Sequence, residues 1–141
     1  MGKKGGWERR KLSDPRMKPG IVGAFCRAYS IEAAIEAFLS DVYQKCGGWG
    51  KVPRYTYLGG STYGGASVYN KGQHLYSWHQ SDPAGGAYRC CNAFDLVRIH
   101  KFGKLDEGSY GTGYTHLPSY IAMCAWAEGL DEVQEMMKIS R

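Results

Sequence analysis

The residues best suited to nucleophilic chemistry lie close together in the middle of the chain. His79, Asp82, Cys90 and Cys91 supply the residue types of a cysteine hydrolase, which needs a thiolate beside an imidazole that a carboxylate orients. No family signature surrounds them, and an aspartate followed by proline is typical of a turn that the carboxylate caps. We therefore predict a protein that is not an enzyme.

The same stretch holds residues that could bind zinc. Structural zinc sites use four cysteine or histidine ligands in a tetrahedral arrangement. His79, Cys46, Cys90 and Cys91 could form an unconventional set, but adjacent cysteines in an extended chain point in opposite directions. The five cysteines are unevenly spaced, which favours reduced thiols over a disulfide framework. We predict no cofactor, and zinc is the alternative.

The excess positive charge lies at the start of the chain. The net charge is +5, and residues 1–18 hold seven lysines and arginines against two acidic residues, which leaves eleven charges of each sign elsewhere. Such an arm can contact phosphates, because bound cations release counterions from nucleic acid. The alternative is a solvated tail. We predict a disordered basic arm over residues 1–18 and a single domain over residues 19–141.

Apolar spacing predicts two helices after the arm, at about 20–28 and 31–44, with Ser30 as the N-cap of the second. A helix-turn-helix that reads DNA is an alternative for this pair. However, the outward residues Glu32 and Glu36 would repel phosphate. We therefore expect the two helices to form part of the core.

Alternating residues predict strands at 54–58, 66–69 and 74–79, and the turn Asn70-Lys71-Gly72 should join the last two in a hairpin. The glycine-rich residues 59–65 lack the Lys-Ser/Thr ending of a phosphate-binding loop and are predicted to connect strands.

Three further helices are expected, one that begins at the N-cap Asn92 and two at about 117–128 and 130–139. The predicted fold class is α+β, with a small antiparallel sheet of about three strands packed with four to five helices.

Period two places His74, Tyr76 and Trp78 on one face of the last strand. Exposed rings on a sheet can stack on single-stranded bases, although the same rings often form a core. The cations near the end of the helix after Asn92 also complement its dipole. The predicted nucleic-acid-binding residues are Arg54, Lys71, Tyr76, Trp78, His79, Arg89, Arg98, Lys101 and Lys104.

One long block carries a family resemblance. It reads YSWHQSDPAGGAYRCCNAFDLVRIHKFG over residues 76–103, with GAFCRAYSIEAAIEAFLSDVY and RYTYLGG upstream. The block resembles the region ahead of the helicase in the virulence-associated E (VapE) family of phage and prophage primase-helicase proteins. The resemblance covers residues 18–107 and is most specific over residues 92–103. No GxxxxGK[ST] motif is present, so helicase chemistry is not implied.

The order of elements is also similar to the zinc-ribbon domain of bacterial primases. In that domain two knuckles carry the ligands of one zinc ion. Here the knuckles would fall at Leu58–Ser61 and His79–Gly86, and neither contains a cysteine. The resemblance therefore implies a zinc-ribbon-like sheet that has lost its metal.

Together these features predict a noncatalytic module of phage replication that binds single-stranded DNA or a primer-template. The alternative is a small phage protein that inhibits or recruits a host or phage protein, such as a defence nuclease. No apolar run reaches the length of a membrane span, and no signal-peptide hydrophobic region follows the basic start. We expect a location in the cytoplasm of a bacterial host, and the sequence leaves the oligomeric state open.

Overall fold

The computed structural model describes residues 13–47, 52–86 and 90–139. These residues form an α+β fold of five α-helices and one four-stranded antiparallel sheet, which confirms the predicted fold class. The elements are α1 (Gly20–Ala28), α2 (Ile31–Phe38), β1 (Tyr43–Lys45), β2 (Arg54–Tyr57), β3 (Ala66–Tyr69), β4 (His74–Ser77), α3 (Ala93–Phe102), α4 (Pro118–Glu128) and α5 (Asp131–Ile139). Short 3-10 turns occur at Pro15–Met17, Gly103–Asp106 and Tyr114–His116.

The sheet has the order β1-β2-β3-β4, so each strand pairs with its neighbour in the chain. Its inner face is apolar, with Tyr55 opposite Ala66 and Val68 opposite Leu75, and all four side chains are buried. Alternation places the intervening side chains on the opposite, outer face, where Ser67 and His74 are nevertheless buried. The three predicted strands are confirmed in position, and β1 is an additional strand.

The predicted helix over residues 31–44 is wrong in its second half. The helix ends at Phe38, and Leu39 has left the helical conformation. The chain then turns and Tyr43 enters the sheet opposite Tyr57. Leu39 and Val42 suggested a longer helix because they keep helical spacing, but they reach the core from a turn instead.

The hairpin between β3 and β4 is confirmed. Asn70, Lys71 and Gly72 all have positive φ angles, of 57°, 58° and 87°, as a tight turn between antiparallel strands requires. The carbonyl of Gly72 accepts a hydrogen bond of 2.8 Å from the backbone N–H of Ile31. The hairpin is thereby fixed to the start of α2.

Helix α3 begins as predicted. The side chain of Asn92 accepts a 2.8 Å hydrogen bond from the N–H of Asp95, which satisfies one free donor of the first turn. Just before the helix, Cys91 and Leu75 exchange two backbone hydrogen bonds of 2.8 and 2.9 Å. Phe94 and Val97 are then fully buried in the hydrophobic core.

The helices share an aromatic core centred on Phe25 of α1. Its ring contacts Phe38 of α2, Phe94 of α3 and Trp126 of α4 at centroid distances of 5.9 to 6.3 Å. Such pairs add to the free energy of area burial. The longest helix, α4, has eleven residues. In the described ranges no helix has both the length and the apolarity that crossing a membrane would require.

The folded domain begins earlier in the chain than predicted, before the predicted end of the basic arm at residue 18. Pro15 is buried in a 3-10 turn that packs on α1. The guanidinium of Arg27 donates a 2.7 Å hydrogen bond to the carbonyl of Arg16. Residues 14–18 therefore belong to the domain, and residues 1–12 of the predicted arm lie outside the described residues.

We expect Gly85→Ala to destabilise the fold. An added methyl group would lie 2.8 Å from the carbonyl oxygen of His79 and 3.1 Å from that of Ser77, and these backbone atoms have little room to move. The free energy of unfolding should fall by about 1–3 kcal/mol. Gly47→Ala is the control, because its added carbon has no neighbouring atom within 4 Å among the described residues. Equal urea midpoints for the two variants would contradict the prediction.

Candidate nucleic-acid interface

Two aromatic rings lie side by side on the outer face of the sheet. Trp78 is 63% exposed, and its ring centroid is 4.5 Å from that of Tyr76, with 34° between the planes. Their neighbours across the sheet are small, since Ser67 lies opposite Tyr76 and the N–H of Trp78 donates to the carbonyl of Gly65 at 2.7 Å. The two rings form a continuous surface at the edge of the sheet.

Arg54 lies on the same face. The strand register places Arg54 opposite Ser67, and Ser67 opposite Tyr76, so the three residues form one row across three strands. Two strand spacings separate the backbones of Arg54 and Tyr76, or about 10 Å. Arg54 is exposed, and its guanidinium donates a 3.4 Å hydrogen bond to the carbonyl of Gly64. A cation and an aromatic pair therefore share one face.

Two more side chains lie at the hairpin end of this face. Lys71 was among the predicted nucleic-acid-binding residues, and Tyr69 was not. Lys71 is exposed in the turn that joins β3 to β4. Tyr69 is 42% exposed and alternates with Ser67 along β3, so it faces outward as well. Period two, applied to β3 as it was to β4, would have identified Tyr69.

The prediction that His79 contacts nucleic acid at the surface is wrong. The residue is only 2% exposed, and its Nε2 atom accepts hydrogen bonds from the backbone N–H groups of Tyr57 and Gly65, at 3.2 and 3.1 Å. The other ring nitrogen is buried and has no hydrogen-bond partner among the described residues. His79 holds the ends of β2 and β3 to β4, and it cannot reach a ligand on the outer face.

The prediction that Arg98 contacts nucleic acid at the surface is also wrong. It is 9% exposed, and its guanidinium donates to the hydroxyl of Ser119 at 2.8 Å and to the carboxylate of Asp95 at 3.1 Å. The ring of Tyr114 lies 5.2 Å from the guanidinium carbon. These contacts join α3 to α4 and the preceding loop. The charge of Arg98 is therefore satisfied by internal partners.

The remaining predicted cations do not join the aromatic pair. Lys101 lies on α3 with its ammonium 5.2 Å from the centre of the Trp126 ring, and Lys104 is exposed just after that helix. Because α3 packs on the inner face of the sheet, both lysines lie on the helical side of the molecule. Arg89 lies outside the described residues. The outer face thus keeps Arg54, Tyr76 and Trp78, with Lys71 at its margin.

The two predicted knuckle segments lie next to each other. A carbon added to Gly60 would be 2.8 Å from the hydroxyl of Ser81 and 3.8 Å from Nδ1 of His79. The segments follow β2 and β4, as the resemblance to a primase ribbon implies. Whether the sheet is related to such a ribbon stays a prediction.

The alternative zinc ligands do not converge. The thiol of Cys46 contacts the hydroxyl of Thr56 at 3.3 Å, and the thiol of Cys91 donates to the carbonyl of Ala84 at 3.7 Å. Burial raises the pKa of the Cys90 thiol, which disfavours the thiolate that zinc requires. In the part of the chain that the structure describes, no three histidines, cysteines or carboxylates are grouped to hold a metal ion.

Asp82 pairs with a histidine that the sequence did not suggest. Its buried carboxylate accepts hydrogen bonds from the hydroxyls of Tyr43 and Ser77, at 2.6 and 2.7 Å, and from the backbone N–H of Ala84 at 2.8 Å. Nε2 of His100 lies 3.1 Å from the same carboxylate and 2.9 Å from the Tyr43 hydroxyl. This group of side chains, the Asp82 network, lies between the sheet and α3.

The hydrogen bonds of the Asp82 network keep the Asp82 carboxylate ionised inside the protein. Burial alone would raise the pKa of Asp82, but hydrogen bonds from His100, Tyr43, Ser77 and Ala84 outweigh it and lower the pKa. Burial and the Asp82 carboxylate together raise the pKa of Tyr43 well above its usual value. The side chain of Asp82 is 0% exposed and that of His100 6%, so a substrate has no access. The network stabilises the fold.

Comparison with protein-family models, with curated proteins and with solved structures gives no match to this chain. The relationship to the VapE family rests on the quoted residues and stays a prediction.

We expect Asp82→Asn to destabilise the protein by about 2–4 kcal/mol at neutral pH, because a buried charge network loses its acceptor. Since folding lowers the pKa of Asp82, its carboxylate stabilises the fold above the unfolded pKa of about 4, and this contribution is lost as the pH falls through the folded pKa. Urea unfolding at pH 7 to 3 should therefore show a smaller pH dependence in the variant.

Asp41→Asn is the matched control, because Asp41 is exposed in the turn before β1. It should leave the free energy of unfolding at neutral pH nearly unchanged. If Asp82→Asn and the wild-type protein lost stability equally on acidification, the assigned role of Asp82 would be wrong.

Proposed function

We propose that this protein is a noncatalytic module that binds single-stranded nucleic acid, in the first instance single-stranded DNA during phage or prophage replication in the cytoplasm of a bacterial host. The observation that supports the proposal is the pair formed by exposed Trp78 and half-buried Tyr76 beside Arg54 on the outer face of the sheet. An unpaired strand offers both groups that this face can bind, the faces of its bases and its phosphates.

The aromatic pair suits unpaired bases. Stacking of one base on an aromatic side chain contributes about 1–3 kcal/mol and tolerates any sequence. Tyr76 is half-buried, and its ring lies against that of Trp78. Because the two rings limit each other's motion, little conformational entropy is lost when a base binds. Base pairs in a duplex are stacked on each other and would not offer their faces to these rings.

The charges near this face favour a phosphate backbone. No strand residue that alternates to the outer face in the described sheet is acidic, and Arg54 lies in the Tyr76 row. Burial lowers the pKa of His74 on β4, and the nearby charges of Asp14 and Lys18 shift it in opposite directions. The chain therefore enters the described domain beside this strand. Residues 1–12, which precede that point, carry five cations and one acidic residue.

A protein ligand for the same face is the competing function. Exposed tryptophan and tyrosine side chains are also enriched among the residues that dominate protein interfaces. A phage protein that inhibits or recruits a host or phage protein could use Trp78 in that way. Binding to an oligonucleotide separates the two functions.

Trp78→Ala should weaken oligonucleotide binding. Loss of one stacked base corresponds to about a 5- to 150-fold increase in the dissociation constant. The measurement is fluorescence anisotropy of a labelled single strand at low ionic strength. Tyr110→Ala is the control, since Tyr110 is 94% exposed in a loop on the helical side and should not affect binding.

Two results would overturn the nucleic-acid proposal. One is an absence of wild-type binding at concentrations up to about 100 µM at low salt, where nonspecific binding registers. The other is capture from nuclease-treated host lysate of a stoichiometric protein partner that Trp78→Ala no longer binds. The second result would assign the same face to protein docking.

Removal of residues 1–12 should change the salt dependence of binding. The segment has a net charge of +4, and each phosphate that it ceases to neutralise should reduce the magnitude of the slope of log K against log salt by about 0.7 for a single strand. Trp78→Ala should lower the affinity and leave the slope unchanged, because a stacked ring releases no counterions. An unchanged slope after removal of residues 1–12 would show that the arm does not bind phosphate.

A further inference from the structure

The two edges of the sheet differ. At the β4 edge, Leu75 and Cys91 exchange backbone hydrogen bonds, so the chain entering α3 covers the middle of that strand. The β1 edge has no such cover among the described residues. An open edge presents backbone donors and acceptors to which another strand can pair.

The register of β1 shows which backbone groups point outward. Cys46 donates to the carbonyl of Arg54 at 3.0 Å, and Leu58 donates to the carbonyl of Val42 at 2.8 Å. Even-numbered residues of β1 therefore face β2, and the N–H and C=O groups of Lys45 face away from the sheet. In the described part of the chain, neither group of Lys45 has a backbone hydrogen-bond partner.

A groove of about 490 Å³ lies beside this edge, between α2 and the inner side of β1 and β2. Glu32, Glu36 and Ser40 line it from the helical side, and Lys45 and Tyr55 line it from the sheet. A strand paired to β1 would point alternate side chains into this groove, because successive residues face opposite sides of a sheet.

The groove carries a local negative charge. The Lys45 ammonium lies 3.3 Å from the Glu32 carboxylate, which leaves the lysine neutralised. Glu36 is exposed and forms no ion pair with any described residue. Burial, followed by the charges of Glu32 and Glu36, raises the pKa of Tyr55 to about 12.

We propose that the β1 edge binds an extended, basic segment of a partner protein, which pairs with Lys45 as an added strand and places lysine or arginine side chains over Glu36. Strand addition takes its affinity from backbone hydrogen bonds and its specificity from alternate side chains. The negative charge repels nucleic acid, so this surface is distinct from the outer face. A second copy paired through the same edge would bring like-charged Glu36 side chains together.

The test uses the full chain and a blocked eight-residue peptide that alternates lysine with valine. Nuclear magnetic resonance titration should shift the amide signals of Gln44 and Lys45, and hydrogen exchange of the Lys45 amide should slow on binding. A peptide of the same sequence with methyl groups on alternate backbone nitrogens keeps the charge but cannot pair as a strand. It should not bind.

Glu36→Lys should weaken peptide binding by about 5-fold or more, as expected for a reversed surface charge. Glu135→Lys is the control, because Glu135 is exposed on α5, away from the groove, where it pairs with Lys138. Trp78→Ala should leave peptide binding unchanged, which separates this proposal from the nucleic-acid function.

Several results would overturn the proposal. The first is an absence of peptide binding up to about 1 mM. The second is binding of the methylated peptide as tight as that of the unmodified peptide. The third is peptide binding by Glu36→Lys as tight as that by the wild-type protein. A dimer that Lys45→Pro dissociates would place a second copy on the edge. Peptide binding that appears only after removal of residues 1–12 would identify the arm of this chain as the occupant.

Discussion

The buried carboxylate of Asp82 is the interaction on which the rest of the structure depends. It joins Tyr43 of β1, Ser77 of β4 and His100 of α3, so one charge connects both edge strands of the sheet to the helix that covers it. A buried charge is tolerated only when partners replace the water it has lost. The position of α3 and the closure of the sheet are therefore mutually dependent.

This requirement explains how the fold uses its buried histidines and carboxylate. Nε2 of His100 lies 3.1 Å from the Asp82 carboxylate inside the fold, and Nε2 of His79 accepts hydrogen bonds from two backbone N–H groups. The inner face of the sheet is used for stability. The outer face instead exposes Trp78 beside Tyr76.

Features fixed by neighbouring residues were predictable from the sequence. The Asn92 cap, the turn at residues 70–72 and the alternation that places Tyr76 and Trp78 on one face depend on spacings of a few residues. These local rules also set the fold class, since helical and strand periodicities alternate clearly along most of the chain.

Features fixed by distant residues were not predictable. Arg98 is buried because Ser119 accepts its hydrogen bond from a helix that begins after a long loop, and nothing near Arg98 in the sequence shows this. His79 is held by Tyr57 and Gly65 in the same way. β1 escaped prediction because it has three residues and follows Leu39 and Val42, which keep helical spacing. Tertiary contacts decided all three cases.

The close approach of Lys18 to α1 has a consequence for the basic residues that precede it. A carbon added to Gly23 would lie 1.8 Å from the carbonyl oxygen of Lys18, so the backbone there rests directly on the helix. The twelve residues at the start of the chain are thus tethered to a fixed point and reach at most about 40 Å from it. Under the proposed function, a strand bound on the outer face would meet these basic residues at an effective concentration on the order of millimolar. The proposal therefore implies an affinity that depends on strand length and rises once a strand is long enough to span both attachments.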